Sequence, residues 1–429
     1  MNLGNEPSAM IGDDGTKVPG LGVIIFRVGK EIFSAFHGRR DIAANKPVTR
    51  DTRFRAASVS KLFTIFALMQ LVEQGKISLD DDAGKYLGFE LRNPNQPQKK
   101  ITVRMLASHT SSIRDGKIYS IPPKFCVEEF FSPRGEFFEN GAHFAPETVG
   151  EYFTYSNLNY GLLGTIIEVV TGKRFDLYQK ENLFKQLDIK ADYLPGHFER
   201  REFELLGTIY QKKNPLGQWN EFGDWFATID DYKGIQPPKD TVRLQNPYAQ
   251  NFQGVYSLEG YRIGTNATIF SPQGGLRISF EELAHALEMM INGGIYRSRQ
   301  ILSRESLDEM FKPNWIYDSE SQNGCPYGGA ILNYGLGTYF IDGKSSARVC
   351  REHEINLLGH TGAAYGLLSG IFFIPHTKDG FIYMLNGEAM AEDFDPRSKG
   401  KFSDNYIWEE RIMEAVCNFL SRNDSVLYF

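Results

Sequence analysis

Ser58-Val-Ser-Lys61-Leu-Phe-Thr-Ile-Phe-Ala-Leu-Met-Gln-Leu-Val72 decides how this chain reads. From Leu62 to Val72 apolar side chains fall on nearly every face of a 3.6-residue repeat, which predicts a buried central helix ending near Gly75. Ser58 stands at its start, and Lys61, three residues on, shares a helical face with it. An ammonium in a first turn opposes the helix dipole, and burial opposes it further. Both push Lys61 toward the neutral amine a general base needs. The same residues also fit a plainer arrangement, with Ser58 only capping the helix and Lys61 reaching back to solvent. A second Ser-x-x-Lys, Ser398 to Lys401, lies in a Pro/Gly/charge-rich loop and reads as solvated surface.

Working outward, Gly22 to Val28 and Glu31 to Phe36 predict a hairpin joined by Gly29-Lys30. Near the carboxyl end, Leu357 to His360, Leu367 to Ile374 and Gly380 to Leu385 predict consecutive antiparallel strands, and Tyr406 to Phe419 a closing helix. Strands at both ends with helices between predict an α+β fold. It has an antiparallel sheet built from both chain ends and flanked by helices, plus an inserted, mostly helical lobe. On this division residues 1–75 and 311–429 form the sheet-containing lobe and 76–310 the helical one, with one site between them. Helices are expected from about Asn159 to Thr171, stopped by Gly172, and from Ser279 to near Gly293, with Glu282 completing a capping box. The aromatic-rich insertion 207–268, with Tyr210, Trp219, Trp225, Tyr232, Tyr248 and Tyr256, reads as a pocket wall or lid, or equally as a small satellite core.

A chain of 429 residues exceeds what one hydrophobic core usually supports, in keeping with two lobes. A formal charge of −6 and the lack of any basic run argue against a nucleic-acid partner. No apolar stretch is long enough to span a bilayer. The amino end, Met1 to Lys17, lacks the pattern of a secretory signal. Two locations fit: cytoplasmic, or periplasmic or secreted if the start has been trimmed. The four cysteines show no Cys-x-x-Cys spacing, so no zinc is expected. Cys325 and Cys350 flank an apparent strand pair and could bridge in an oxidising compartment; free thiols are the alternative. No P-loop, Gly-x-Gly-x-x-Gly, His-Glu-x-x-His or Gly-x-Ser-x-Gly is present, so no cofactor or metal is expected and an α/β-hydrolase is disfavoured. The triplets Asn266-Ala-Thr268 and Asn423-Asp-Ser425 are at chance level as glycosylation signals.

Two further motifs follow Ser58 in order, Tyr155-Ser-Asn157 and His360-Thr-Gly362. Tyr155, near a cationic lysine, is expected to have a lowered phenol pKa and to relay protons to and from Ser58. Asn157 offers a donor and an acceptor to a substrate amide. Gly362, at a strand end, lets a substrate backbone dock as an added strand. The Ala363 N–H then joins that of Ser58 as an oxyanion hole, and His360 and Thr361 face the substrate's polar end. Singly, these residues better fit a helix-entry loop with a core tyrosine and a satisfied histidine. The ordered set implies a serine hydrolase working through an acyl-enzyme.

Phe54-Arg-Ala-Ala-Ser-Val-Ser-Lys-Leu-Phe-Thr64, Ile101-Thr-Val-Arg-Met-Leu-Ala-Ser-His-Thr-Ser111, Tyr155-Ser-Asn-Leu-Asn-Tyr-Gly-Leu-Leu-Gly164 and Gly359-His-Thr-Gly362 carry a family likeness. Together they resemble the serine β-lactamase and penicillin-binding protein family, in its class C-like branch with D-aminopeptidases, D-alanyl-D-alanine carboxypeptidases and esterases. The resemblance covers roughly Gly20 to Gly387, and the 207–268 stretch is least family-like. It implies Ser58 as nucleophile, Lys61 and Tyr155 sharing the proton work, Asn157 on the substrate amide, and Gly274-Gly275 lining the cleft. The implied substrate is a β-lactam, a D-amino-acid peptide or a carboxylic ester. His360 stands where many β-lactamases of this superfamily carry lysine, which weakens the anchor for a substrate carboxylate. Ser112 replaces a glycine usual after the His109-Thr-Ser run. The helix that normally precedes the first strand is short or missing. The competing reading is a penicillin-binding or peptide-binding sensor module that is acylated without turnover.

Overall fold

In the computed structural model, which describes residues 5–12, 14–245, 252–391 and 395–422, both ends of the chain feed one antiparallel sheet. Its strands are β1 (Gly20–Arg27), β2 (Lys30–Asp41), β3 (Lys46–Pro47), β4 (Tyr339–Ile341), β5 (Leu357–Ala364), β6 (Leu367–Ile374) and β7 (Asp379–Asn386). They lie in the order β4-β5-β6-β7-β1-β2-β3. The last strand closes on the first, with Gly20 opposite Asn386 and Phe26 opposite Gly380. The α+β architecture read from the strand pattern is the one observed.

Alternation along the strands feeds two cores. Val23, Ile25, Leu368, Phe372 and Phe381 pack with Trp408, Ile412 and Val416 of the closing helix α4 (Ile407–Arg422). Ile24, Phe26, Ile371, Phe373 and Ile382 pack with Leu283, Leu287 and Ile291 of α3 (Phe280–Ile291). Covered on both faces, the central strands can be apolar almost throughout. The hairpin turns follow backbone chirality. Val28 and Gly29 (φ 49° and 75°) join β1 to β2, and Tyr365 and Gly366 (φ 60° and 103°) join β5 to β6. Two consecutive positive φ angles match the strand twist, so the first turn falls one residue earlier than Gly29-Lys30.

The buried helix α1 (Ser60–Glu73) has every residue from Ser60 to Leu71 buried and packs on α2 (Asn157–Thr171). The predicted Ser279–Glu282 capping box opens α3. That helix, expected in the inserted lobe, instead packs on β1, β6 and β7, because its apolar stripe fits the sheet face. Among its described residues the 207–268 insertion holds two hairpins, Ile209–Gln211 with Phe226–Ile229 and Thr241–Leu244 with Gly254–Ser257. Tyr248 lies outside the described residues.

All four cysteines are free thiols. Ser398 is buried rather than solvated, its hydroxyl donating to the Asp395 carbonyl at 2.7 Å. Asn266 is buried and donates to the Ile121 and Pro122 carbonyls, so it is no glycan acceptor, and Asn423 lies outside the described residues. Among the described residues no helix is long and apolar enough to cross a membrane.

Candidate active site

β4 pairs with β5 only from Leu357 to Gly359, leaving the edge of His360–Ala364 bonded within the sheet on one side alone, to β6. The turn Ala57–Val59 packs against this half of β5. Gly362 permits the approach: a Cβ there would stand 2.8 Å from both the Ser58 nitrogen and the Ala56 carbonyl oxygen. Ala57 holds φ at 46°, a left-handed conformation unusual for a residue with a Cβ, and delivers Ser58 at the foot of α1. Ser58 is therefore in a 3₁₀ turn one residue before the helix cap, and it caps nothing.

Lys61 is fully buried and does not reach solvent. Its Nζ donates to Ser58 Oγ at 3.1 Å, Asn157 Oδ1 at 2.9 Å and the Gln273 carbonyl at 3.2 Å. It also lies 4.6 Å from the centre of the Tyr155 ring. Burial lowers the ammonium pKa to about 7, against the pull of the Asp115 carboxylate. The Ser58 hydroxyl favours the Tyr155 phenolate, but burial outweighs it and raises the phenol pKa well above the ordinary value, contrary to the lowering expected from a neighbouring lysine. Tyr155 is a proton donor at neutral pH, not a phenolate.

His360 borders the cleft as a satisfied histidine. It is 2% exposed; its Nε2 and the Tyr334 hydroxyl are 2.9 Å apart, and its Nδ1 is hydrogen-bonded to the Thr361 carbonyl. Burial pushes its pKa down to about 3, so it borders the cleft as a neutral ring and offers no charge to a substrate carboxylate. Thr361 Oγ1 is hydrogen-bonded to the Tyr339 hydroxyl at 2.8 Å. Ser58, Tyr155, Asn157, His360, Thr361 and Ala363 line one cleft of about 600 Å³. Gly274 and Gly275 do not. Gly274 stands behind Ser58 against the Ala57 backbone, and Gly275 is buried with its carbonyl held by Arg277.

Asp115, missed in the sequence, lines the same cleft. It accepts from Asn157 Nδ2 at 2.8 Å, Ser156 Oγ at 2.9 Å and the Leu158 nitrogen at 2.9 Å. It thereby caps α2, whose own Ser156 makes no side-chain cap, and orients Asn157 toward Lys61. Nothing local marks this role, because the carboxylate arrives from 42 residues upstream of the amide it holds. The Ile101–Ser111 run acts as support: His109 Nδ1 accepts from the Ser156 nitrogen at 3.2 Å and its ring lies 4.3 Å from that of Tyr155. Ser112 takes φ 65°, the conformation a glycine adopts freely, and its hydroxyl accepts from Asn93 Nδ2.

Among the described residues one cluster has metal-ligand atoms within reach of one another, Asp176, Asp192 and His197. Its carboxylates are already engaged, Asp176 by Arg174 at 2.7 Å and Asp192 by Lys180 at 3.1 Å, and none of the three lines the cleft.

The chain matches the family model described as Beta-lactamase over residues 9–403. It is 26% identical over 216 residues to protein flp of Staphylococcus aureus (strain MRSA252), covering 48% of this chain and 41% of that protein. It is 24% identical over 315 residues to the N-acetylmuramyl-L-alanine amidase of Bacillus subtilis (strain 168), covering 69% and 64%. The matches therefore span less than two thirds of either relative. Among solved structures, an octameric penicillin-binding protein homologue from Pyrococcus abyssi superposes with a TM-score of 0.63 at 23% identity, over 98% of this chain and 78% of that one. A D-stereospecific amidohydrolase from Streptomyces sp. superposes with a TM-score of 0.58 at 21% identity, over 97% and 98%. At these identities the structural likeness is one of fold.

Proposed function

The chain belongs to the Beta-lactamase family, and from that premise we propose that it is a serine hydrolase in which Ser58 forms an acyl-enzyme with an amide or ester. The observation that carries this reading is Lys61 Nζ at 3.1 Å from Ser58 Oγ, with its pKa near 7. At neutral pH a large fraction of the amine is free to take the hydroxyl proton as Ser58 attacks the carbonyl. Tyr155, protonated and on the same cleft as Ser58, passes its phenol proton to the leaving group and is reprotonated from Lys61. The amides of Ser58 and Ala363 hold the oxyanion, a contribution of about 3–4 kcal/mol to the barrier per donor in comparable sites. Asn157, oriented by Asp115, binds the substrate amide. Water then attacks the ester carbonyl, Ser58 recovers its proton, and the acid leaves.

The neutral His360 bears on substrate class. With no charge there, a leaving group carrying a free carboxylate gains little, which favours amides and esters lacking one over β-lactams and carboxypeptidase substrates. The names of the amidase and amidohydrolase relatives agree with amide-bond cleavage.

The test is labelling with a fluorophosphonate and intact mass, followed by turnover of p-nitrophenyl acetate. Wild type should gain one adduct and turn over many equivalents, and Ser58→Ala should do neither. Equal labelling of Ser58→Ala would refute the nucleophile. Release of a single equivalent would instead support the acylated, non-hydrolysing sensor.

A further inference from the structure

A second cavity of about 340 Å³ lies beside the reacting centre, and Gln273 belongs to both. Its carbonyl accepts from Lys61 in the active site, while its side chain, bonded to Ser271 Oγ, borders this cavity. Tyr365, two residues beyond Ala363 on the chain, forms another wall, and the Thr241–Leu244 hairpin a third. Ile235 (76% exposed) and Val255 (56% exposed) make an apolar rim.

Arg55 lies inside. Its Nε donates to the Gly274 carbonyl at 2.9 Å and one Nη to Ser271 Oγ at 3.1 Å, and its guanidinium lies 5.2 Å from the centre of the Tyr365 ring. Among the described residues no carboxylate pairs with it. Asp230, the acid whose charge it feels, gives both oxygens to Arg277, at 3.0 and 2.8 Å. The remaining charges on the lining, Arg243 and Asp231, are both exposed and offset each other. Residues 246–251, between the hairpin strands, carry no charged side chain in the sequence. Among the described residues two guanidiniums thus share one carboxylate, and one half-buried positive charge is left for a ligand to neutralise.

We propose that this cavity is an acyl-side subsite for substrates whose acyl chain ends in a carboxylate, which Arg55 binds. The proposal rests on Ser58 being the nucleophile. A substrate laid along the open edge of β5 with its carbonyl at Ser58 and Ala363 reaches Tyr365 after two residues, about 7 Å of strand. An acyl chain of about six carbons covers that span. Its methylenes meet the apolar wall, and its carboxylate meets Arg55, with which no carboxylate among the described residues pairs.

The experiment compares p-nitrophenyl hydrogen adipate and hydrogen suberate with p-nitrophenyl hexanoate and octanoate, pairs matched in length and differing in charge. Wild type should favour the charged member of at least one pair by about tenfold or more in kcat/KM, the worth of one charge-assisted hydrogen bond. Arg55→Gln should bring that ratio to one or below, and Arg55→Lys should keep part of it. Because the readout is a ratio, a general loss of activity cancels. A wild-type ratio near one, or an Arg55→Gln variant slower on both members equally, overturns the proposal. If no ester turns over and Ser58 is not labelled, the nucleophile assignment fails separately. Calorimetric titration of the Ser58→Ala protein with monomethyl adipate and methyl hexanoate then decides the subsite. Selective binding of the acid, lost in Arg55→Gln, sustains it, and absence of selectivity sinks it.

Discussion

Between Ser58 Oγ at 3.1 Å and Asn157 Oδ1 at 2.9 Å, the Lys61 amine has the hydrogen-bond partners of an ammonium and the burial of a neutral group. Its pKa of about 7 in the folded protein, against an ordinary 10.5, sets two signs. The unfolded chain holds a proton that the folded one releases, so this group makes stability rise with pH from about 7 toward 10.5. Acylation, read as kcat/KM for an activated ester, should climb through a single limb near pH 7 and level off as the free amine fills. Asp115 holds that pKa up. Asp115→Asn should move the limb to lower pH and, by loosening Asn157, lower the plateau by on the order of tenfold. Simple misfolding would lower the plateau without moving the limb. At this scale Ser58 and Lys61 were legible, because three residues on one helix turn fix their neighbourhood. The Tyr155 and His360 protonation states were not, since burial sets both and burial is a property of the packed lobes.

The elements explain why a glycine is required at 362. β5 was expected to stop at His360, because Gly-Ala-Ala has weak strand propensity, yet the ladder to β6 runs on to Ala364 opposite Leu367. That extension is the half with the open edge, and it touches the nucleophile turn. Gly362→Val would place its Cβ 2.6 Å from Ser369 Oγ and 2.8 Å from the Ser58 nitrogen, so strand and turn must part. Fluorophosphonate labelling should slow by about 10²-fold or more, the cost of a misplaced oxyanion donor, while the far-UV circular dichroism stays close to wild type. The α3 capping box, by contrast, was readable outright, since both of its partners lie within three residues.

Across the whole molecule, the insertion is tied to the body through Asp230 and Arg277, a buried bidentate pair. Asp230→Ala strands the Arg277 charge and should destabilise the protein by about 3–5 kcal/mol in urea denaturation. Asp230→Ala with Arg277→Met removes both charges and should recover much of that loss. Neither residue announced the other, 47 positions apart. Aromatic content marked the insertion as a wall or a small core, and it proves to supply both. Val242 and Leu244 line the second cavity, while Tyr232 packs on Phe198 and Phe203. The sequence by itself determined the buried helix, the strands at both ends and the order of the three motifs, because periodicity and local spacing are written residue by residue. The tertiary structure alone decided that α3 joins the sheet, that Asp115 steers Asn157, that His360 is neutral and that Arg55 has no carboxylate partner among the described residues. Each depends on which distant side chains exclude water from a group or answer its charge, and that is settled only when the chain closes on itself.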